Sequence, residues 1–265
     1  MTVAEEIVAR RSARAYNGEP LRAADAAALE DFIASTAPPW GVTAHIELVH
    51  ADLGGEPHKL GTYGVTRGAR DFMGLAYREG SLAAVGAAYW FEQVILHCTG
   101  LGLATCWLAG FTPSSFLDTV TLGDGEKVQY ASPVGYVGGT QPMFVRLGFF
   151  NPEKVHNTKK PFGTLFLHDD FATPLTEAEA GPLAEPLRLT RIAPSAKNVQ
   201  PYRVVVAGGQ AHFYTPPSRF GPTDVGIALA HFDLSRRELA IPGRLEVLDD
   251  HRTYPGFDYV MSWTA

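Results

Sequence analysis

Between Val94 and Phe111 the chain carries no Asp, Glu, Lys or Arg, a run as long as the shortest membrane span. His97, Thr99, Thr105 and the glycines at 100 and 102 interrupt it, so it reads as a buried helix ending near Gly100 and a strand from about Ala104. That helix begins near Ser81 and is apolar on nearly every face, which places it in a core or a subunit-like interface. Upstream, Ile7 and Val8 fall on one side of a short helix, and Arg22 to Ala34 has the Ala/Leu spacing of another. After the STAPPWG break, HIELVHA alternates as a strand, and Phe72 to Tyr77 is a second. Further on, the pattern predicts a helix at Ser114 to Thr119 and a core strand in SPVGYVGG from Ser132. Thr176 and Glu179 have capping-box spacing. Late in the chain RIAPSAKNVQPYR, a segment of turn-forming residues, runs into the Val triplet of a buried strand.

The pattern also repeats. Pro20, Leu21, Ala24, Ala26 and Leu29 recur in order as Pro174, Leu175, Ala178, Ala180 and Leu183, with Asp25 answered by Glu179. After a two-residue shift, Ala37-Pro38 matches Ala193-Pro194, and HIELVHA matches the strand from Arg203. The expectation is a duplicated helix–turn–strand unit, split into halves 1–168 and 169–265. The copies diverge where polar chemistry lies. STAPPWGVTAH lacks the equivalents of Ser195, Asn198 and Gln200, and apolar GTLFLH stands where the first copy has RRSAR. If the halves pair pseudo-symmetrically, the arginines of one and the Ser/Asn turn of the other complete one site.

Composition narrows the function. The 265 residues are 46% apolar and 19% charged, as in a globular chain. A net charge of -6 argues against nucleic acid or an anionic membrane surface as the main partner. Cys98 and Cys106 suit a reduced cytoplasmic protein and read as small core residues. The nine histidines show no metal-ligand spacing. Glu5, Glu6 and the lack of an apolar stretch ending in a cleavage site argue against a signal peptide.

Two stretches carry candidate chemistry. Arg10, Arg11, Ser12 and Arg14 put guanidiniums and a hydroxyl within five residues, a cradle for phosphate or a solvated basic face. The turn Pro194, Ser195, Asn198 either touches a ligand or caps its own backbone. Lys159 and Lys160 read by default as solvated. Hydrolase readings are weaker: there is no G-x-S-x-G, and Ser195 and Lys197 are spaced S-x-K. His231 and Asp233 are explained by a surface helix with ordinary ion pairs. GLGLAT follows a helix and lacks the third glycine of a dinucleotide fingerprint.

RRSAR, WFEQVILHCTGLGLATCWLAGF, ASPVGYVG and APSAKNVQPYR together resemble the nitroreductase family of FMN-dependent oxidoreductases. Their order is similar to its single-chain, internally duplicated subgroup. The resemblance implies an α+β fold: a mixed, largely antiparallel sheet flanked by helices, in two pseudo-symmetric halves that make the chain its own dimer. A monomer is then the default, with a further dimer left open. By the same resemblance Arg10, Arg11, Ser12 and Arg14 hold the FMN phosphate and ribityl chain, and Lys159 is a second basic element. Pro194, Ser195 and Asn198 line the isoalloxazine, and the amides at Ala109 and Gly110 face flavin N5. The family's Asn and Lys near flavin N1 fall on Thr62 and Val65 here, leaving Arg67 as the nearest cation.

The activity so implied is hydride transfer from NAD(P)H through FMN to an electron-poor small molecule such as a nitroaromatic or quinone, with no catalytic side chain required. The alternative is a flavin-binding or storage protein of the same fold without turnover.

Overall fold

In the computed structural model of the chain, residues 1–50, 64–109 and 120–265 are described. They form two compact units, Ala9–Asn157 and a second made of Met1–Val8 with Thr158–Ala265. The division falls at Asn157, against an expected split at residue 168.

Helix α1 (Val3–Ala9) buries Ile7 but leaves Val8 51% exposed, so only one of the two expected apolar positions faces inward. In the Ala9–Asn157 unit follow α2 (Ala23–Ser35), β1 (Ala44–His50), β2 (Asp71–Arg78), α3 (Ala83–Gly100), β3 (Ala104–Thr105), β4 (Glu126–Gly135), α4 (Met143–Arg146) and α5 (Pro152–Asn157). The strands are antiparallel in the order β1-β2-β4-β3. Helix α3 is uncharged but for Glu92 because it is enclosed: Phe91, Val94, Ile95 and Cys98 have no exposure. Against it α2 stacks Phe32 flat on His97 at 4.0 Å, while Trp90 Nε1 donates to Thr36 Oγ1 at 2.8 Å. Strand β4 starts earlier than Ser132 because its half-buried first residues pair with the end of β2. The helix expected at Ser114 to Thr119 lies outside the described residues.

The other unit continues with α6 (Phe162–Leu165), β5 (Phe166–His168), α7 (Ala184–Arg191), β6 (Arg203–Ala207), β7 (Gln210–Thr215), α8 (Gly221–Glu238), β8 (Arg244–Glu246) and β9 (Asp258–Thr264). Its sheet runs β5-β6-β7-β9-β8, parallel only between β5 and β6. The expected mixed, largely antiparallel α+β architecture is thus observed. Thr176 and Glu179 do make reciprocal capping bonds, at 3.0 and 3.3 Å, but a 3-10 turn at Gly181–Leu183 intervenes and α7 begins only at Ala184. Pro182 in that turn has no N–H for a regular helix.

Helix α8 is not the surface helix its charges suggested. His231 and Asp233 are fully buried. Asp233 is paired within the helix with Arg236 at 2.6 Å and Arg237 at 2.7 Å, and His231 Nδ1 donates to the Leu189 carbonyl of α7 at 3.1 Å. Satisfied this way, a charged residue can face a core. The two units share one order of elements: α2-β1-β2-α3-β3-β4 in one, α7-β6-β7-α8-β8-β9 in the other. Their strand orders, β1-β2-β4-β3 and β6-β7-β9-β8, correspond as well. Among the described residues no helix is long and apolar enough to cross a membrane.

Candidate functional site

Sequence-predicted residues gather in two places, one in each unit. In the Ala9–Asn157 unit the chain after α1 runs extended beside β3. Ser12 bridges Thr105, Ala13 N–H donates to Thr105 O at 2.8 Å, and Ala15 bridges Arg67. Arg67 N–H donates to Arg14 O at 3.0 Å, and Tyr16 N–H returns a bond to Arg67 O at 2.9 Å. So close a ribbon requires Gly68, whose φ is +82° and where a Cβ would strike the Tyr16 carbonyl. Ser12, Arg14 and Arg67 are therefore neighbours through backbone pairing.

The arginines divide into two kinds. Arg10 is only 4% exposed, with Nη1 3.4 Å from Ser12 Oγ and Nε a distant 4.0 Å from Glu92 Oε1. Burial lowers its pKa, and Glu92 offsets part of that. Glu92 is itself engaged by Trp107 Nε1 at 2.6 Å. Arg10 Nε and Arg14 Nε are both buried without a hydrogen-bond partner. Arg14 also lies over the Phe150 ring at 5.8 Å. Beside them sits Cys106, whose thiol pKa burial raises against the opposing fields of Arg14 and Arg10. Arg11 instead turns to Glu153, with Nε donating to Oε1 at 2.9 Å, and to the Ala9 and Arg10 carbonyls at 3.1 Å. Ala109 is exposed just past Leu108, which exchanges hydrogen bonds of 2.8 and 3.1 Å with Ala131. Gly110 and Thr62 lie outside the described residues.

In the other unit, α7 ends at Arg191 and is followed by buried Ala193 and Pro194, and Ser195 opens a 3-10 turn at Ala196–Asn198. Lys197, Asn198 and Gln200 have φ of 52°, 59° and 48°. Non-glycine residues in this region cost of order 1–3 kcal/mol each and persist only when their surroundings fix them. Here Gln200 does much of the fixing. Its Nε2 donates to Arg191 O at 2.6 Å, its Oε1 accepts from Lys160 N–H at 2.8 Å, and its own N–H donates to Ser195 Oγ at 2.9 Å. Ser195 thus caps its own turn. Asn198 does not: its Nδ2 donates to Thr158 O at 2.6 Å and its Oδ1 accepts from Lys159 Nζ at 2.8 Å.

The lysines are accordingly not the solvated pair expected from sequence. Lys159 Nζ also donates to Ala193 O, and Lys160 Nζ to Gln200 O, both at 3.1 Å. Lys159, Ser195 and Asn198 form one knot, fastened from below where Ala196 N–H donates to Asp224 Oδ1 at 2.9 Å. Asp224 is 4% exposed, and burial pushes its pKa up to about 7. Sequence reasoning left Gln200 and Asp224 out of the site. Gln200 stood within the turn motif, whereas Asp224 gives only an acidic residue in the first turn of α8.

The sheet order, the enclosed α3 and the paired arginine ribbon define an α+β protein of nitroreductase type. The family model described as "Putative TM nitroreductase" matches residues 2–236, and the chain belongs to that nitroreductase family. A nitroreductase structure from Thermotoga maritima is similar over 99% of this chain and 93% of its own, at 17% identity and a TM-score of 0.62, a likeness of fold. A nitroreductase with bound FMN from Bacteroides fragilis is 23% identical, covering 51% of this chain and 88% of its own, with a TM-score of 0.41. No curated protein matches the sequence.

Proposed function

We propose that the chain binds FMN and transfers hydride from NAD(P)H to an electron-poor small molecule such as a nitroaromatic or quinone. The observation that carries this reading is the pair of buried guanidinium nitrogens that make no hydrogen bond, Arg10 Nε and Arg14 Nε, with Arg10 beside Ser12 and its Nε only distantly paired with Glu92. Buried cationic donors without a hydrogen-bonded acceptor are costly, and a dianionic phosphate would satisfy them. Arg10, Ser12 and Arg14 would hold the phosphate end. Arg11 reaches it only by exchanging Glu153, and Arg67 is the cation available to the N1 side. Pro194, Ser195 and Asn198 would line the ring, with Lys159 held by Asn198, and the amides at Ala109 and Gly110 would face N5. Bound FMN would supply the hydride acceptor and donor, so no protein acid or base is assigned. The shared order of elements supports descent of both units from one duplicated unit.

The test is the visible spectrum of the purified protein and its FMN content per chain in wild type, Arg14→Ala and Asn198→Ala. The expected result is a yellow protein with one FMN per chain, depleted in both variants, that oxidises NADH or NADPH with a quinone or nitroaromatic acceptor. A colourless protein that cannot be reconstituted with FMN overturns the reading. Bound FMN without oxidation of either nicotinamide leaves the binding role and removes the reductase.

A further inference from the structure

A cavity lies on the sheet of the Thr158–Ala265 unit and shares no residue with the proposed flavin site. Along β7, Phe213 packs on Phe232 of α8 at 5.2 Å between ring centres. Strand alternation then turns His212 and Tyr214 to the opposite face. There a cavity of about 290 Å³ opens between β6, β7 and the segment around Asp250–Tyr254, close to the lower end of small-molecule pockets.

Its walls are aromatic and fixed. Tyr254 is stacked on Phe171 at 3.8 Å and lies edge-on to Tyr214 at 5.2 Å, and His251 is stacked on Tyr259 at 3.9 Å. Its polar groups are aligned by a chain of hydrogen bonds. Leu248 N–H donates to Tyr259 Oη at 3.0 Å, Tyr259 Oη is 2.8 Å from Ser262 Oγ, and Ser262 Oγ is 2.7 Å from His212 Nδ1. The assignment that uses every proton has Tyr259 donating to Ser262 and Ser262 to Nδ1, which leaves His212 with an Nε2–H donor.

Tyr254 Oη is buried with no hydrogen-bond partner. Arg252 lines the cavity while also donating to the Asp169 carbonyl. Asp250 is the one carboxylate on the lining, set against Arg252 and two imidazoles. Burial lowers the His212 pKa first, and the fields of Arg252 and His251 lower it further.

We propose that this cavity binds a small aromatic carboxylate, with its ring among Tyr214 and Tyr254 and its carboxylate on Arg252, His212 Nε2–H and the Tyr254 hydroxyl. Stacked aromatics select the ring, and a guanidinium, an imidazole N–H and the unpartnered Tyr254 hydroxyl on one lining select the anion. The proposal does not depend on flavin binding.

Benzoate is the probe, titrated into protein carrying 15N-labelled histidine, with the His212 ring signals assigned from their loss in His212→Gln. The expected result is a saturable shift of the His212 Nε2 resonance. Affinity should fall about tenfold or more in Arg252→Gln and several-fold in Tyr254→Phe. Uncharged benzamide should bind more weakly than benzoate. Arg14→Ala, in the other unit, should leave the affinity unchanged. The absence of a saturable shift, an affinity untouched by both Arg252→Gln and Tyr254→Phe, or binding abolished by Arg14→Ala would each overturn the proposal. Tyr254→Phe removes only a hydroxyl that has no partner, so it reports even if Arg252→Gln perturbs the fold.

Discussion

Asp224 shows how one side chain can tie a strained turn to the core and leave a mark on stability. It accepts the Ala196 N–H at 2.9 Å while buried at the start of α8, and desolvation raises its pKa to about 7. The unfolded chain loses that proton near the ordinary value of 3.8. Between roughly pH 4 and 7 the folded state therefore holds a proton that the unfolded state has released, and stability falls as pH rises through that window. The full shift corresponds to about 4 kcal/mol. Asp224→Asn keeps a carbonyl acceptor for Ala196 and removes the titration. Urea unfolding at pH 5 and pH 8 should show the wild type losing about 3 kcal/mol across that interval through this group, and the variant losing correspondingly less. Equal pH dependence in the two proteins would mean that Asp224 is not the titrating group. Gln200 acts on the same turn by hydrogen bonding alone. Gln200→Ala strips the side-chain partners of Arg191 O and Lys160 N–H and should cost about 1–3 kcal/mol with no pH dependence.

Helices α3 and α8 have the same length, 18 residues, yet only one was readable. The near-absence of charge in α3, where Glu92 is the one charged residue, announced burial. In α8 the buried Asp224, His231, Asp233 and Arg236 hid it: Asp224 and His231 find partners elsewhere in the fold, while Asp233 and Arg236 pair within the helix. Position i+3 and i+4 pairs look alike in sequence whether they face water or a core. The same limit held at the site. The RRSAR and APSAKN motifs located both clusters, but nothing in their spacing tells that Arg10 meets Glu92 and Arg11 meets Glu153, or that Asn198 clasps Lys159. Those pairings are set by strand register and by where α3 and α5 pack. The burial of α8 predicts a contrast within one ion-pair cluster. Asp233→Ala leaves Arg236, whose side chain is 6% exposed, without its carboxylate, and should cost about 3–5 kcal/mol. Arg237→Ala removes a partner that is 60% exposed and should cost under about 1 kcal/mol. Denaturant titration of the two variants distinguishes them, and equal small losses would show that α8 is solvated after all.

At the scale of the molecule, two units with one order of elements carry different polar residues. One carries an arginine ribbon beside β3; the sheet of the other is extended at its opposite edge, where β5, the apolar strand Phe166–His168, runs parallel to β6. The other carries the turn with its three positive-φ residues, whereas the first has STAPPWG before β1. Neither set of residues recurs in the other unit, which fits the proposed stoichiometry of one FMN per chain. If the arginine ribbon anchors FMN, the phosphate is decisive, since the ribbon offers nothing that the ring system alone could use. FMN at about a hundredfold its dissociation constant should stabilise the protein by about 2.7 kcal/mol. Riboflavin has the same ring and ribityl chain but no phosphate, and loss of charged hydrogen bonds to Arg10 and Arg14 should weaken it by about two orders of magnitude. At the same concentration its stabilisation should then shrink to about 0.4 kcal/mol. Denaturant unfolding with each ligand measures both numbers. If riboflavin stabilises as strongly as FMN, the unpartnered guanidinium nitrogens do not hold a phosphate; if FMN alone stabilises, and Arg14→Ala erases the difference, the arginine ribbon is its anchor.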